Sequence, residues 1–309
     1  MKKKAYIYIF TVITIAFLSV IFYFIYTQTY MGTRVASFRK RKIQADYMAE
    51  SVINLVFAKE NFMKELEDYY FSMDKGRLCK DLKINMNIDE VKIDGIELTM
   101  FRSGEFSILA RTDYKKIKSR ILSMGTFIND CYRKENGICN SSNTKNDELE
   151  KIINGFEKIK TGNFENAGKL IIINGDYKMK KEGPLIKIYE ETIDANGIEQ
   201  EIVKALINEK DVIYQESGSL EIAENINMNN LFIINAKIFS NNINNEGLVY
   251  LDRNSQVENN IKIEGYLLDP FDRARGISVK LNNNIIKKYG KILPEYFKLL
   301  INNLINKGD

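Results

Sequence analysis

The chain of 309 residues contains no histidine, which excludes Ser/His/Asp and Cys/His nucleophile arrangements and histidine-based zinc sites. It also lacks Walker A, G-x-G-x-x-G and EF-hand patterns. The cluster best supplied with reactive groups is Asp269, Asp272, Arg273 and Arg275. Carboxylates holding a cation beside a basic side chain could cleave an acidic polysaccharide, with arginine or lysine as the base. The same four residues also describe a solvated turn whose ion pairs contribute ~0–1 kcal/mol each. No groove of aromatic residues supports the catalytic reading, so no catalytic, cofactor or metal site is expected.

Three cysteines, Cys79, Cys131 and Cys139, lack metal-type spacing. Cys131 and Cys139 flank a short loop containing Gly137 and could close a disulfide contributing ~2–3 kcal/mol in an oxidising compartment. Three reduced thiols behaving as small hydrophobes fit the sequence equally well.

These residues must be held by elements that begin with an unusual N-terminal stretch. Residues 5–33 carry no charge, and 5–26 are mostly Ile, Phe, Tyr, Val, Leu and Ala. At ~1.5 Å per residue this run crosses a bilayer as a helix, for which roughly 20 apolar residues suffice. Lys2, Lys3 and Lys4 precede it, and Tyr6, Tyr8, Tyr23, Tyr26 and Tyr30 stand near its ends like an aromatic belt. A buried soluble helix seldom runs so far without a charge. A cleaved secretory signal has a shorter apolar core and a small-residue cleavage site, which is not seen here. A retained single-pass anchor is expected.

Charge follows the same division. Residues 1–42 hold eight basic side chains (Lys2, Lys3, Lys4, Arg34, Arg39, Lys40, Arg41, Lys42) and no acid, whereas the remainder is slightly acidic. The basic residues cluster where a membrane surface would be, and nothing suggests a nucleic-acid groove. Counting charges alone would put the 34–42 cluster in the cytoplasm. The strand-rich, turn-rich remainder favours the opposite topology, with the N-terminus cytoplasmic and the bulk extracytoplasmic.

From Thr33 the apolar residues Val35, Phe38, Ala45, Met48, Ala49, Val52, Leu55 and Val56 recur at helical spacing without an interrupting proline or glycine, which predicts a stem helix continuing unbroken to about residue 70. Within it, Arg39, Gln44, Ala45, Tyr47, Ala49, Glu50 and Ser51 follow the pattern R-x(n)-Q-A-x-Y-x-A-E-[AS]. This segment resembles the one found just after the transmembrane helix in PilX-type minor pilins of type IV pilus systems. The resemblance covers about residues 1–70. It implies a membrane-anchored filament component, with membrane lipid, other pilin-like subunits and pilus assembly machinery as partners. It implies prepilin-type cleavage between Ala5 and Tyr6, and side-by-side packing of stems through Ile9, Val12, Ile13, Ala16, Phe17 and Val20. It also implies a small antiparallel sheet laid on the C-terminal half of the stem. Major subunits of that kind carry glutamate at the fifth mature position. Phe10 stands there in this chain, which points to a minor component.

Alternation at Leu82, Ile84, Met86 and Ile88 predicts a strand, as do Val91–Phe101, Glu105–Tyr114 and 118–128, with Arg102-Ser103-Gly104 as a hairpin turn. Residues 131–145 read as an exposed loop and 147–160 as a short helix. Farther on, Ile226, Ile243 and Ile261 advance in step with Leu231, Leu248 and Tyr266, at intervals of 17 and 18. Such paired periodicity suggests the coils of a parallel β-helix, with 170–176 as a similar unit and 184–205 as an insertion. A β-sandwich also fits short spaced strands. Residues 294–307 show helical spacing and predict a C-terminal helix.

The expected class is therefore α+β: a stem helix (1–70), a small antiparallel sheet (71–130), a loop with a short helix (131–160), and a β-rich unit, solenoid or sandwich, ending in a helix (161–309). The functional expectation is a non-enzymatic minor pilin-like subunit. The alternatives are an anchored surface protein outside any filament and a membrane-tethered β-helical enzyme acting on polysaccharide.

Overall fold

The computed structural model describes residues 2–73, 76–83, 90–162, 168–195, 197–222, 226–240, 243–258 and 261–307, with backbone alone at 2–5, 240 and 243. Helix α1 (Lys2–Phe57) is followed after a tight turn by α2 (Phe62–Ser72). The stem is therefore interrupted, where one continuous helix to residue 70 was expected. Helical phase supplies the reason. Ala45, Ala49, Val52, Ile53 and Val56 line the buried face of α1, and an unbroken helix would carry Lys59, Glu60 and Glu67 onto that face. The turn resets the phase, so that Phe62, Leu66 and Tyr70 are buried instead. Phe57 and Phe62 meet edge to face across it, 5.7 Å apart.

Strands β1 (Arg77–Asp81), β2 (Val91–Phe101), β3 (Glu105–Tyr114) and β4 (Ile117–Ile128) form an antiparallel meander against α1. Of the strand expected around 82–88, Ile84, Met86 and Ile88 lie outside the described residues. The expected loop contains a 3₁₀ turn (Asp130–Tyr132) and a short strand, β5 (Ile138–Asn140), before helix α3 (Asn146–Lys160).

The chain then winds into stacked coils. The first contains β6 (Leu170–Asn174) and β7 (Tyr177–Glu182), from which a hairpin, β8 (Leu185–Ile193) and β9 (Glu199–Ile207), projects at the expected insertion. The second is β10 (Val212–Ser217), β11 (Ser219–Ile222) and β12 (Ile226–Met228). The third is β13 (Leu231–Ile234), β14 (Lys237–Ser240) and β15 (Ile243–Asn245). Strands β16 (Leu248–Leu251), β17 (Gln256–Glu258), the long β18 (Ile261–Asp269) and β19 (Ile277–Leu281) complete the stack.

Pairing between coils is parallel, and Leu231↔Leu248↔Tyr266 and Ile226↔Ile243↔Ile261 are in register. The region is thus β-solenoid-like, and the sandwich alternative falls away. Its strands read as unbroken apolar runs because both faces are covered. Ile213, Phe232, Val249 and Leu267 point into the solenoid core. Tyr214, Leu231, Leu248, Tyr250 and Tyr266 point outward, into a second core shared with α3, the stem and the sheet. At one corner the coils approach so closely that a Cβ on Gly265 would lie 1.9 Å from the Gly247 carbonyl oxygen.

Helix α4 (Asn283–Tyr289) follows, and the last described element is a strand, β20 (Phe297–Asn306), where a C-terminal helix over 294–307 was expected. The apolar positions of this segment suit either period, and β4 decides between them. Its edge amides and carbonyls need partners, and β20 supplies them in the order β1-β2-β3-β4-β20. Gly125 permits the approach, since a Cβ there would sit 2.3 Å from the Leu300 carbonyl oxygen. The solenoid is accordingly inserted between two neighbouring strands of the sheet, an arrangement that the expected boundary near residue 162 does not contain.

Candidate membrane and assembly interface

Helix α1 is long and apolar enough to cross a membrane. Ile9, Val12, Ile13, Phe17 and Val20 are 57–67% exposed, and Ala16 is exposed beside them, so none of the described head residues covers this face. The hydroxyls of Thr11, Thr14, Ser19 and Thr29 each donate to the backbone carbonyl four residues earlier, at 2.8 Å. These groups are satisfied within the helix, as a lipid environment requires. Lys4 and Arg34 bracket the charge-free run, and about 45 Å separates them along the axis at ~1.5 Å per residue. That matches the ~40–45 Å thickness of a bilayer with its headgroups. Ala5 and Tyr6 both lie within α1, and Tyr6 is exposed.

The family-like motif divides by helical face. Ala45 and Ala49 are fully buried, their small side chains letting α1 lie close against the sheet. Gln44 and Glu50 are half-buried, while Arg39, Tyr47 and Ser51 are exposed, Ser51 donating to the Tyr47 carbonyl at 2.8 Å. Tyr47 continues an exposed apolar series through Val35, Phe38 and Ile43. One residue inside the motif escaped the sequence reading. Asp46 accepts hydrogen bonds from Ser119 Oγ (2.5 Å) on β4 and Asn306 Nδ2 (2.7 Å) on β20, and Lys42 lies 3.7 Å away. It joins the stem to two strands, and its only sequence signal is Lys42 one turn earlier.

Cys131 and Cys139 form a disulfide, with Cα atoms 5.3 Å apart. Because β5 pairs with β18, this bond ties the end of β4 to the end of the solenoid stack. Tyr266 reinforces the junction by donating from its hydroxyl to the Cys131 carbonyl, and Tyr70 and Tyr296 hydroxyls meet at 3.1 Å. Cys79 is a free, exposed thiol on β1.

Asp269 is buried, and its two carboxylate oxygens accept from the backbone amides of Arg273 (2.7 Å) and Ala274 (2.8 Å). Burial pushes its pKa up, and these amides pull against that shift without cancelling it. Asp272 accepts from Ser141, while Arg273 and Arg275 are exposed. The four residues are brought together as a turn at the end of β18, with the Asp269 carboxylate committed to backbone.

Lys160 and Asp252 form a further cluster that sequence reasoning missed. Both are buried, their side chains are in direct contact, and Glu157 Oε1 lies 2.7 Å from the same amine. Burial alone would lower the Lys160 pKa, but Asp252 and Glu157 more than offset it and hold the ammonium above its usual range. Phe156 stacks on Tyr250 at 4.1 Å, and the Lys160 amine lies 5.5 and 5.9 Å from the Tyr214 and Tyr250 ring centres. Compared with protein-family models, curated proteins and solved structures, the chain matches none.

Proposed function

We propose that this chain is a non-enzymatic minor pilin-like subunit of a type IV pilus or pseudopilus-like machine. The observation that carries the reading is the division of α1: its first half is apolar and uncovered, and its second half is packed on an antiparallel sheet. The motif running from Arg39 to Ser51 adds support at the boundary between the halves. The N-terminus faces the cytoplasm, and the head lies outside the membrane, where the disulfide between Cys131 and Cys139 suits an oxidising setting.

The stem first resides in the bilayer, then moves sideways and outward into a bundle of similar stems. The face containing Ile9, Val12, Ile13, Ala16, Phe17 and Val20 exchanges lipid for neighbouring helices, a transfer between two apolar surroundings that needs no refolding of the head. Phe10 lacks the charge that a bulk subunit would use to engage a neighbour's N-terminus, so the chain enters filaments at low copy number. The solenoid is displayed for assembly priming or adhesion.

Mass spectrometry of the chain expressed with its own secretion machinery tests the proposal. The expected mature chain begins at Tyr6. A population beginning only at Met1 would contradict the assembly mechanism and leave an anchored surface protein.

A further inference from the structure

The Lys160 cluster contains more than an ion pair requires. The amine belongs to the last residue of α3, and Asp252 follows the last residue of β16, 92 positions along the chain. The amine and the carboxylate are each less than a tenth exposed, and the amine lies beside the Tyr214 and Tyr250 rings, with Phe156 stacked on Tyr250. Asp252 Oδ1 is held by the Arg253 amide at 2.7 Å, which turns Oδ2 toward the amine. Glu157 touches that amine from the solvent side, and the Tyr250 hydroxyl is buried without a hydrogen-bond partner among the described residues.

We propose that Lys160 and Asp252 condense to an intramolecular amide, a covalent cross-link between α3 and the solenoid. In the ionic pair, the ammonium first passes a proton to the Asp252 carboxylate, giving a neutral amine beside a neutral acid. Because two carboxylates hold the amine charged at rest, this neutral pair is a minor state, which makes the reaction slow. The Nζ lone pair then attacks Cγ. Glu157 accepts the second amine proton and returns it to the departing hydroxyl, which leaves as water. One ammonium and one carboxylate thus become one amide and one water, with no co-reactant. A protein needs this event only once in its lifetime, so a slow reaction suffices, and the burial of both side chains limits access of water to the product. Such a bond would lock α3 onto the outer face of the solenoid two rungs from the disulfide's attachment on β5, so that a pulling force on the head could not peel the helix away. This inference is independent of the filament reading.

The test is a tryptic digest of the purified full-length chain. The expected result is a branched peptide joining the segments around Lys160 and Asp252, 18 Da lighter than the sum of the two linear peptides. Working with peptides keeps the result clear of N-terminal processing and of the disulfide. The variants Lys160→Arg and Asp252→Ala are expected to yield linear peptides alone, and Glu157→Gln to lower the branched fraction at least tenfold in freshly made protein. Only linear peptides from the unaltered chain would overturn the proposal and leave an ion pair. A branched fraction unchanged in Glu157→Gln would overturn the role given to Glu157.

Discussion

The first half of α1 and the rungs of the solenoid are built from the same side chains, chiefly Ile, Leu, Phe, Tyr and Val, yet one is bare and the other is sealed on both faces. The difference lies in the backbone. A helix closes its hydrogen bonds within itself, so residues 6–26 can be offered to lipid or to another helix. A rung such as Leu231–Ile234 closes its hydrogen bonds only through Val212–Ser217 on one side and Leu248–Leu251 on the other, and cannot leave the stack without exposing them. Apolar content alone therefore says nothing about destination. The period of the chain and the location of its hydrogen-bond partners decide it.

Substitutions should separate the two regions. The largest effect is expected at Gly265→Val, where the new side chain collides with the Gly247 carbonyl. The head should lose its cooperative thermal transition, and circular dichroism in detergent checks this. Phe232→Ala, which removes a ring from the solenoid core, should cost about 3–5 kcal/mol in denaturant unfolding. Replacing Cys131 and Cys139 by serine should cost about 2–3 kcal/mol, because the short loop they close is freed in the unfolded chain.

Asn245 should act in the opposite direction. Its register partners are Met228 and Ile263, both in the solenoid core, and neither its Nδ2 nor its Oδ1 has a partner among the described residues. Asn245→Leu is expected to stabilise the head by about 1–2 kcal/mol, since it removes a buried, unpaired amide. Phe17→Ala, in the bare half of α1, should change head stability by less than about 0.5 kcal/mol while weakening contacts between stems.

Much of the fold was legible where a pattern had one physical reading. Val91–Phe101 and Glu105–Tyr114 are strands at their expected limits, and the paired steps at Ile226, Ile243, Ile261 and Leu231, Leu248, Tyr266 correspond to register in the solenoid. Local patterns misled where a distant partner decides. The segment at Phe297–Asn306 suits a helix until the open edge of β4 is considered, and the turn after Phe57 follows from the burial direction of α1, which spacing alone does not reveal. Asp46 and the Lys160–Asp252 contact were invisible for the same reason, since their partners lie 73 to 260 residues away. The motif at Ala45 and Ala49 was visible, but the division between its packed and exposed faces needed the sheet.

The claim that the bare half of α1 is an assembly surface is tested most directly by disulfide crosslinking. Single cysteines at Ile13 or Phe17, each in a chain with Cys79 replaced by serine, would be oxidised in cells that also carry cysteine-substituted stems of neighbouring pilin-like subunits. The account predicts crosslinks at both positions, found in sheared filaments as well as in membranes. Crosslinks to no other stem, in chains shown to be inserted and folded, would contradict it.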